Sequence, residues 1–453
     1  MTDAIHKFAS FVIETGYKDI PEDARADIKK FIVDCLGVGM IGSRGPWVTE
    51  LIETQMRWGQ GSDARIWNGG QRVPTPTAAM CNAYQIHNSE FDCVHEAAVA
   101  HAMTCVLPCV LAEAERQGGI SGRDLIATVG IGVDVASNLG LAATTGLRFF
   151  RPGTVGLFAA VAGIAKLRGF DQETLTRAFS IGYSQLSGTM QPHIEGSMLL
   201  GMQIGFNARN AVVACDMAEA GLAGLDGVLQ GPFGYFTLIE AEYDLSDVLA
   251  NMGKIWRVTE MAHKPFPSGR ATHGVADAAL LLQKEHNLTA DQIESATLTM
   301  PSLTKHLVGR PAHDAMDVNY ARLCSPYVVA VAFMNGEITI SDFHEEAFRN
   351  PVAVELASRF SVEANDNPDP NALSPVNVSV TLKDGQVLRQ SVDVVYGNPA
   401  NPMTREAWLA KFYKNAAGAA KPISREYAEA LVDLVDHLED LEDACVLVDK
   451  MIA

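Results

Sequence analysis

The chain has 453 residues, 48% hydrophobic and 20% charged, a globular composition long enough for two or three domains and without room for a large disordered region. Its formal charge of −19 would repel a phosphate backbone, and no basic run offsets it, which argues against a nucleic-acid partner. The eight cysteines form no CxxC pair and read as reduced thiols packed in a core.

The first twenty residues predict an amphipathic helix with Ile5, Phe8, Phe11 and Val12 on one face. This stretch lacks the apolar region and cleavage site of a secretory signal, so a cytoplasmic location is expected. Ile28, Phe31, Ile32, Cys35 and Leu36 repeat at the spacing of a buried helix face. Helices are predicted over 103–117, 122–143, 154–167, 172–186 and 203–222, with Ser121 and Asp171 placed as N-caps. Several are apolar most of the way round and rich in Ala and Gly, as in central helices packed closely on their neighbours. The most apolar run, 155–167, is shorter than the ~18 residues of a membrane span, so no membrane insertion is expected.

Two prolines in three residues at His263-Lys264-Pro265-Phe266-Pro267 break any helix and mark a boundary. One more helix is predicted over 274–284. Residues 293–300 alternate as a strand, and segments 377–382 and 387–395 flank an Asp384-Gly385 hairpin signal, with helices at 327–334 and 352–359 between. After Gly397-Asn398-Pro399 the chain returns to helix, carrying Trp408, Phe412 and Tyr413. The expected fold class is mainly α. Residues 1–265 form an all-helical domain completed by C-terminal helices from 400–453, and residues 266–399 form a smaller α+β domain.

The densest chemistry lies in His87–His101, where three histidines, three carboxylates and a thiol occupy fifteen residues between apolar flanks. A zinc ion would accept His and Cys, and a hard cation would accept Glu90, Asp92 and Glu96, but no HExxH or CxxC frame is present. A polar loop with solvated charges is the second reading. The third is a proton-transfer site, which needs an acid and a base held at a core edge with different pKa values.

Five stretches in chain order resemble the MmgE/PrpD (2-methylcitrate dehydratase) family. They are Asn82–His87 with Ser89-Glu90-Phe91-Asp92 and then His101–Pro108; Arg151–Gly156, similar to HPTGTVG; Lys264–His273, similar to KPYPCCRFTHP; Ser325-Pro326-Tyr327, similar to SLPY; and Asn401–Thr404, similar to NPMS. The resemblance implies a large helical domain with a smaller α/β lid, usually as a homodimer. It also implies chemistry beside a carboxylate without metal or organic cofactor, as dehydratase, decarboxylase or epimerase. Carried over by position, the family's site residues fall on Glu90, Asp92, His101, Lys264 and Tyr327. The chain departs from the family where Leu200 replaces a lysine, Gln203 a histidine, Arg151 a histidine and Cys93 an aspartate.

Removing a proton next to a carboxylate builds enediolate charge, which needs a base at carbon and fixed cations at oxygen. His101 is the leading base, oriented by Glu90 or Asp92, and His95 and Tyr327 are candidate acids. Arg151, Lys264 and Arg270 are candidate cations, and Gln203, Ser268 and His273 candidate substrate contacts. The expected function is a cofactor-independent lyase, first a hydro-lyase, acting on a small di- or tricarboxylate. Epimerase, decarboxylase and a binding protein on a decayed scaffold are the alternatives.

Overall fold

The computed structural model describes residues 2–452 and is mostly α-helical with a small sheet region. The helices Ala102–Gln117, Gly122–Leu141, Arg151–Arg168 and Leu199–Glu219 pack on one another around a common core. Small residues permit this close approach: a Cβ on Gly156 would stand 2.6 Å from Cys105 Sγ. The expected caps form, with Ser121 accepting from the amide of Asp124 and Asp171 from that of Thr174.

By length and composition, Gly122–Leu141 does reach the measure of a membrane span, which the sequence reading missed by following a different apolar run. It is buried between neighbouring helices, as a central core helix of a folded domain would be.

Two small pairings were not foreseen. β1 (Ala64–Arg65) pairs antiparallel with β2 (Arg72–Val73). β3 (Val94–His95) pairs antiparallel with β4 (Met261–Ala262), Val94 opposite Ala262. Neither run is long enough for a period-2 pattern to emerge. The β3–β4 pair nevertheless decides what meets the dense segment, because Lys264 lies two residues beyond the end of β4.

The larger sheet contains β5 (Ile293–Met300), β6 (Phe360–Ala364), β7 (Val376–Leu382) and β8 (Val387–Val392) in the order β6-β5-β7-β8. β5 runs parallel to β6 and antiparallel to β7. The β7–β8 hairpin turns at Gly385, whose φ of +88° favours glycine. β6 went unpredicted because only its first residue is buried. Helices His273–His286 and Ser325–Asn335 pack on each other, and the first also packs on β7 and β8.

The helix Arg405–Ala417 returns to pack on Glu22–Gly42. Lys411 donates to Asp34 Oδ1 at 2.6 Å and to the carbonyl of Phe91 at 2.8 Å, which pins the loop carrying Glu90 and Asp92.

Candidate active site

The helix Thr75–His87 ends where the chain must turn, and Glu90 takes a left-handed φ of +52°. Val99, at φ +49°, does the same on the far side of the loop. A β-branched residue is rarely found there, so the loop between the two helices carries strain, a common property of functional loops. Both residues border one small cavity of about 80 Å³.

Asp92 lies at the centre of the cluster and is fully buried. Its Oδ2 is 2.7 Å from His101 Nδ1 and 3.1 Å from His87 Nδ1, and accepts from the Thr104 hydroxyl at 2.6 Å. An ionised carboxylate can only accept, so each imidazole places its Nδ1–H there and keeps Nε2 for chemistry. The two rings meet edge to face, 4.9 Å apart. His87 Nε2 is buried without a hydrogen-bond partner among the described residues, 3.7 Å from Glu90 Oε1.

Lys264 is completely buried. Its Nζ donates to Glu90 Oε2 at 2.9 Å and to the Glu90 carbonyl at 3.2 Å, and stands 3.8 Å from Asp92 Oδ1.

Burial would raise both carboxyls, but the neighbouring positive groups reverse it. Lys264, with His87 and His101 behind it, holds Glu90 at about 2. His101, His87 and Lys264 hold Asp92 well below the usual carboxylate range. The imidazoles diverge. Burial lowers both, but Asp92 and Glu90 together carry His87 above its ordinary value, while His101, with Lys264 opposing Asp92, ends below it. One carboxylate thus supports a ring that holds its proton and a ring that is free to take one.

The rest of the cavity is largely apolar, with Phe150, Met190, Leu200, Leu307 and Leu323 on its walls. His193 faces it from a short helix, with Nδ1 3.3 Å from Arg310 Nη2. Burial and Arg310 push His193 down to about 4, so it is neutral. Arg322 donates to the carbonyl of Asn88, and burial lowers it to about 10 although Glu90 acts against that.

Of the sequence-predicted residues, Glu90, Asp92, His101 and Lys264 converge here, and Arg270 borders the cavity. The others are engaged elsewhere. His95 places Nε2 2.9 Å from Glu260 and accepts the Ala98 amide, away from the cluster. Tyr327 donates to the carbonyl of Asp342 at 2.6 Å inside the core. Arg151 is bidentate with Glu240, at 3.0 and 2.8 Å, and its charge is spent within the protein. Gln203 exchanges hydrogen bonds with Thr189 beside a different cavity. Ser268 shares a hydrogen bond with Thr272, and His273 binds the Ser268 carbonyl. Arg270 pairs with Glu96 and donates to the carbonyls of His263 and Tyr396.

Sequence reading passed over His87, Thr104, His193, Arg310 and Arg322. His87 had a signal, as the first residue of the dense segment and three before Glu90. The others had none, since an isolated polar residue outside any repeated pattern does not signal what it meets in the fold.

His87, Asp92 and His101 also offer ligand atoms within 4.8 Å of one another, a donor set a divalent cation accepts. The hydrogen bonds described above account for the same closeness by proton sharing.

Residues 6–246 match the MmgE/PrpD N-terminal domain, and residues 266–437 the MmgE/PrpD C-terminal domain. The chain belongs to the MmgE/PrpD family. Relatives include the cis-aconitate decarboxylase of Mus musculus, 30% identical over 92% of this chain and 87% of the relative. That of Homo sapiens is 29% identical over 92% and 88%. That of Aspergillus terreus is 27% identical over 96% and 92%. In this MmgE/PrpD chain Lys264 lies between the two matched stretches, and β4 delivers it to the cluster built by the first.

Proposed function

We propose that the chain is a lyase that cleaves a bond next to a carboxylate of a small organic acid, with the His87/His101 pair moving the proton. The observation that carries this reading is Asp92 Oδ2 shared by two imidazoles whose pKa values are driven in opposite directions. Decarboxylation leads among the possible reactions. In it, the bond between the substrate carbon and its carboxylate breaks, the electron pair shifts to carbon, and an imidazolium, His87 by its raised pKa, supplies the proton there. The apolar walls favour it, because a carboxylate stripped of water releases its charge more readily as CO₂. The three relatives named as cis-aconitate decarboxylases point the same way.

Dehydration, the first expectation from sequence, keeps one specific support. It needs a base at carbon and an acid at the departing hydroxyl, and the pair supplies both, with His101 as base and His87 as acid.

NMR in deuterated water with cis-aconitate, citrate, 2-methylcitrate, malate-like and amino-dicarboxylate compounds separates the outcomes. Decarboxylation releases CO₂ and places solvent deuterium on carbon, dehydration loses water, and epimerisation changes only one hydrogen. Turnover that survives in His101→Ala and His87→Ala would overturn the proposal.

A further inference from the structure

The charges around the cavity limit how many carboxylates it can hold. Three carboxyl groups lie at or beside it: Glu90, Asp92 and Glu96. The cations nearest to them are already engaged. Lys264 is bound to Glu90, and Arg151 is bound to Glu240. Arg270 gives Nε to Glu96 and its other donors to the carbonyls of His263, Val395 and Tyr396, which uses most of the five N–H groups of a guanidinium. Two sides can still receive an anion. One is the imidazole side, where His87 and His101 meet the cavity. The other is the side of His193, behind which Arg310 holds a buried Nη1 that has no partner among the described residues. The remaining lining residues, Phe150, Met190, Leu200, Leu307 and Leu373, carry no charge of their own. A carboxylate against that wall would lose its water and gain no counter-charge, whereas an alkyl group would lose nothing.

Resting on the lyase reading above, we infer that the site selects a small dicarboxylate bearing an alkyl arm rather than a tricarboxylate, with Leu200 on the wall that receives the arm. The two carboxylates reach the imidazole side and the His193 side, and the alkyl arm lies against the apolar wall. A terminal carboxylate adds two heavy atoms to the space of a methyl and brings a charge, and against an apolar wall the desolvated charge is the larger cost.

The test is calorimetric binding of two acids that differ only in that terminus: 2-ethylmaleate, and cis-aconitate, which carries a carboxylate where the ethyl group ends in methyl. The wild-type protein is expected to bind 2-ethylmaleate at least about tenfold more tightly. Equal binding, tighter binding of cis-aconitate, or no binding of either overturns the inference. A folded Leu200→Lys should close or reverse the gap by supplying the missing cation, and an unchanged gap overturns the role of Leu200. If Leu200→Lys does not fold, the wild-type comparison alone decides. The readout is binding, so its outcome is separate from that of the lyase reading: a protein that prefers 2-ethylmaleate yet turns over no carboxylate would retain the inference and lose the proposed reaction.

Discussion

Lys264 Nζ stands 2.9 Å from Glu90 Oε2, closing a buried ion pair between residues 174 positions apart. The pair joins the proline-rich segment after β4 to the strained loop that carries Asp92. Breaking one half leaves a buried charge uncompensated. Lys264→Met is expected to destabilise the fold by about 3–5 kcal/mol in urea unfolding, and the Lys264→Met/Glu90→Gln double variant by less than the sum of the singles.

Asp92→Asn keeps the shape of the side chain and removes the charge that aligns both imidazoles. Turnover should fall by on the order of 10⁴, as for other orienting carboxylates in His-based sites, while circular dichroism stays unchanged. Imidazole NMR should show the His87 pKa falling in the variant.

Stability should decline in two stages as pH falls. His193, held at about 4, and His263 and His273, held well below normal by burial with nearby cations, are neutral in the folded state. The unfolded chain binds these protons first, so stability drops once pH passes below about 6.5. Glu90, at about 2, and Asp92, held well below the usual carboxylate range, stabilise the fold fully above the unfolded carboxyl range of about 4. That contribution is lost between about 4 and their folded values. His87 acts oppositely: its raised pKa stabilises the fold at low pH and ceases to do so as pH rises through the folded value. Thermal melts across pH check the order.

Activity should follow a bell in pH, with an acid limb where His101 gains a proton and an alkaline limb where His87 loses one. The two limbs report the coupled pair rather than either ring alone. In Asp92→Asn the alkaline limb should move to lower pH.

Exhaustive chelation is expected to leave turnover and melting temperature unchanged. A loss restored by a divalent cation would instead assign His87, Asp92 and His101 to a metal.

Tyr327→Phe should retain kcat and cost about 1–3 kcal/mol, the price of leaving the Asp342 carbonyl without its donor. A large drop in kcat would return Tyr327 to the chemistry. Arg151→Met should destabilise without changing KM, because Glu240 already consumes the guanidinium.

Periodic patterns made the main elements legible. Ile293–Met300 was found residue for residue, because alternate burial repeats every second position along it. The Ser121 and Asp171 caps were found because a capping oxygen acts on an amide only three residues away. β3, β4 and β6 were missed because they are short or barely buried, and their pairing is fixed by partners distant in sequence.

For the site, sequence by itself determined the dense wall from His87 to His101 and the family to which it belongs, since both are written in local runs of residue type. Only the tertiary structure decided which residues meet. It brought Lys264 to Glu90 and assigned both imidazoles to Asp92, while Arg151, Gln203, Tyr327 and His95 found partners elsewhere. The reason is physical. A buried polar group must be satisfied by whatever the fold places within about 3 Å of it, and that neighbour is set by packing rather than by position along the chain.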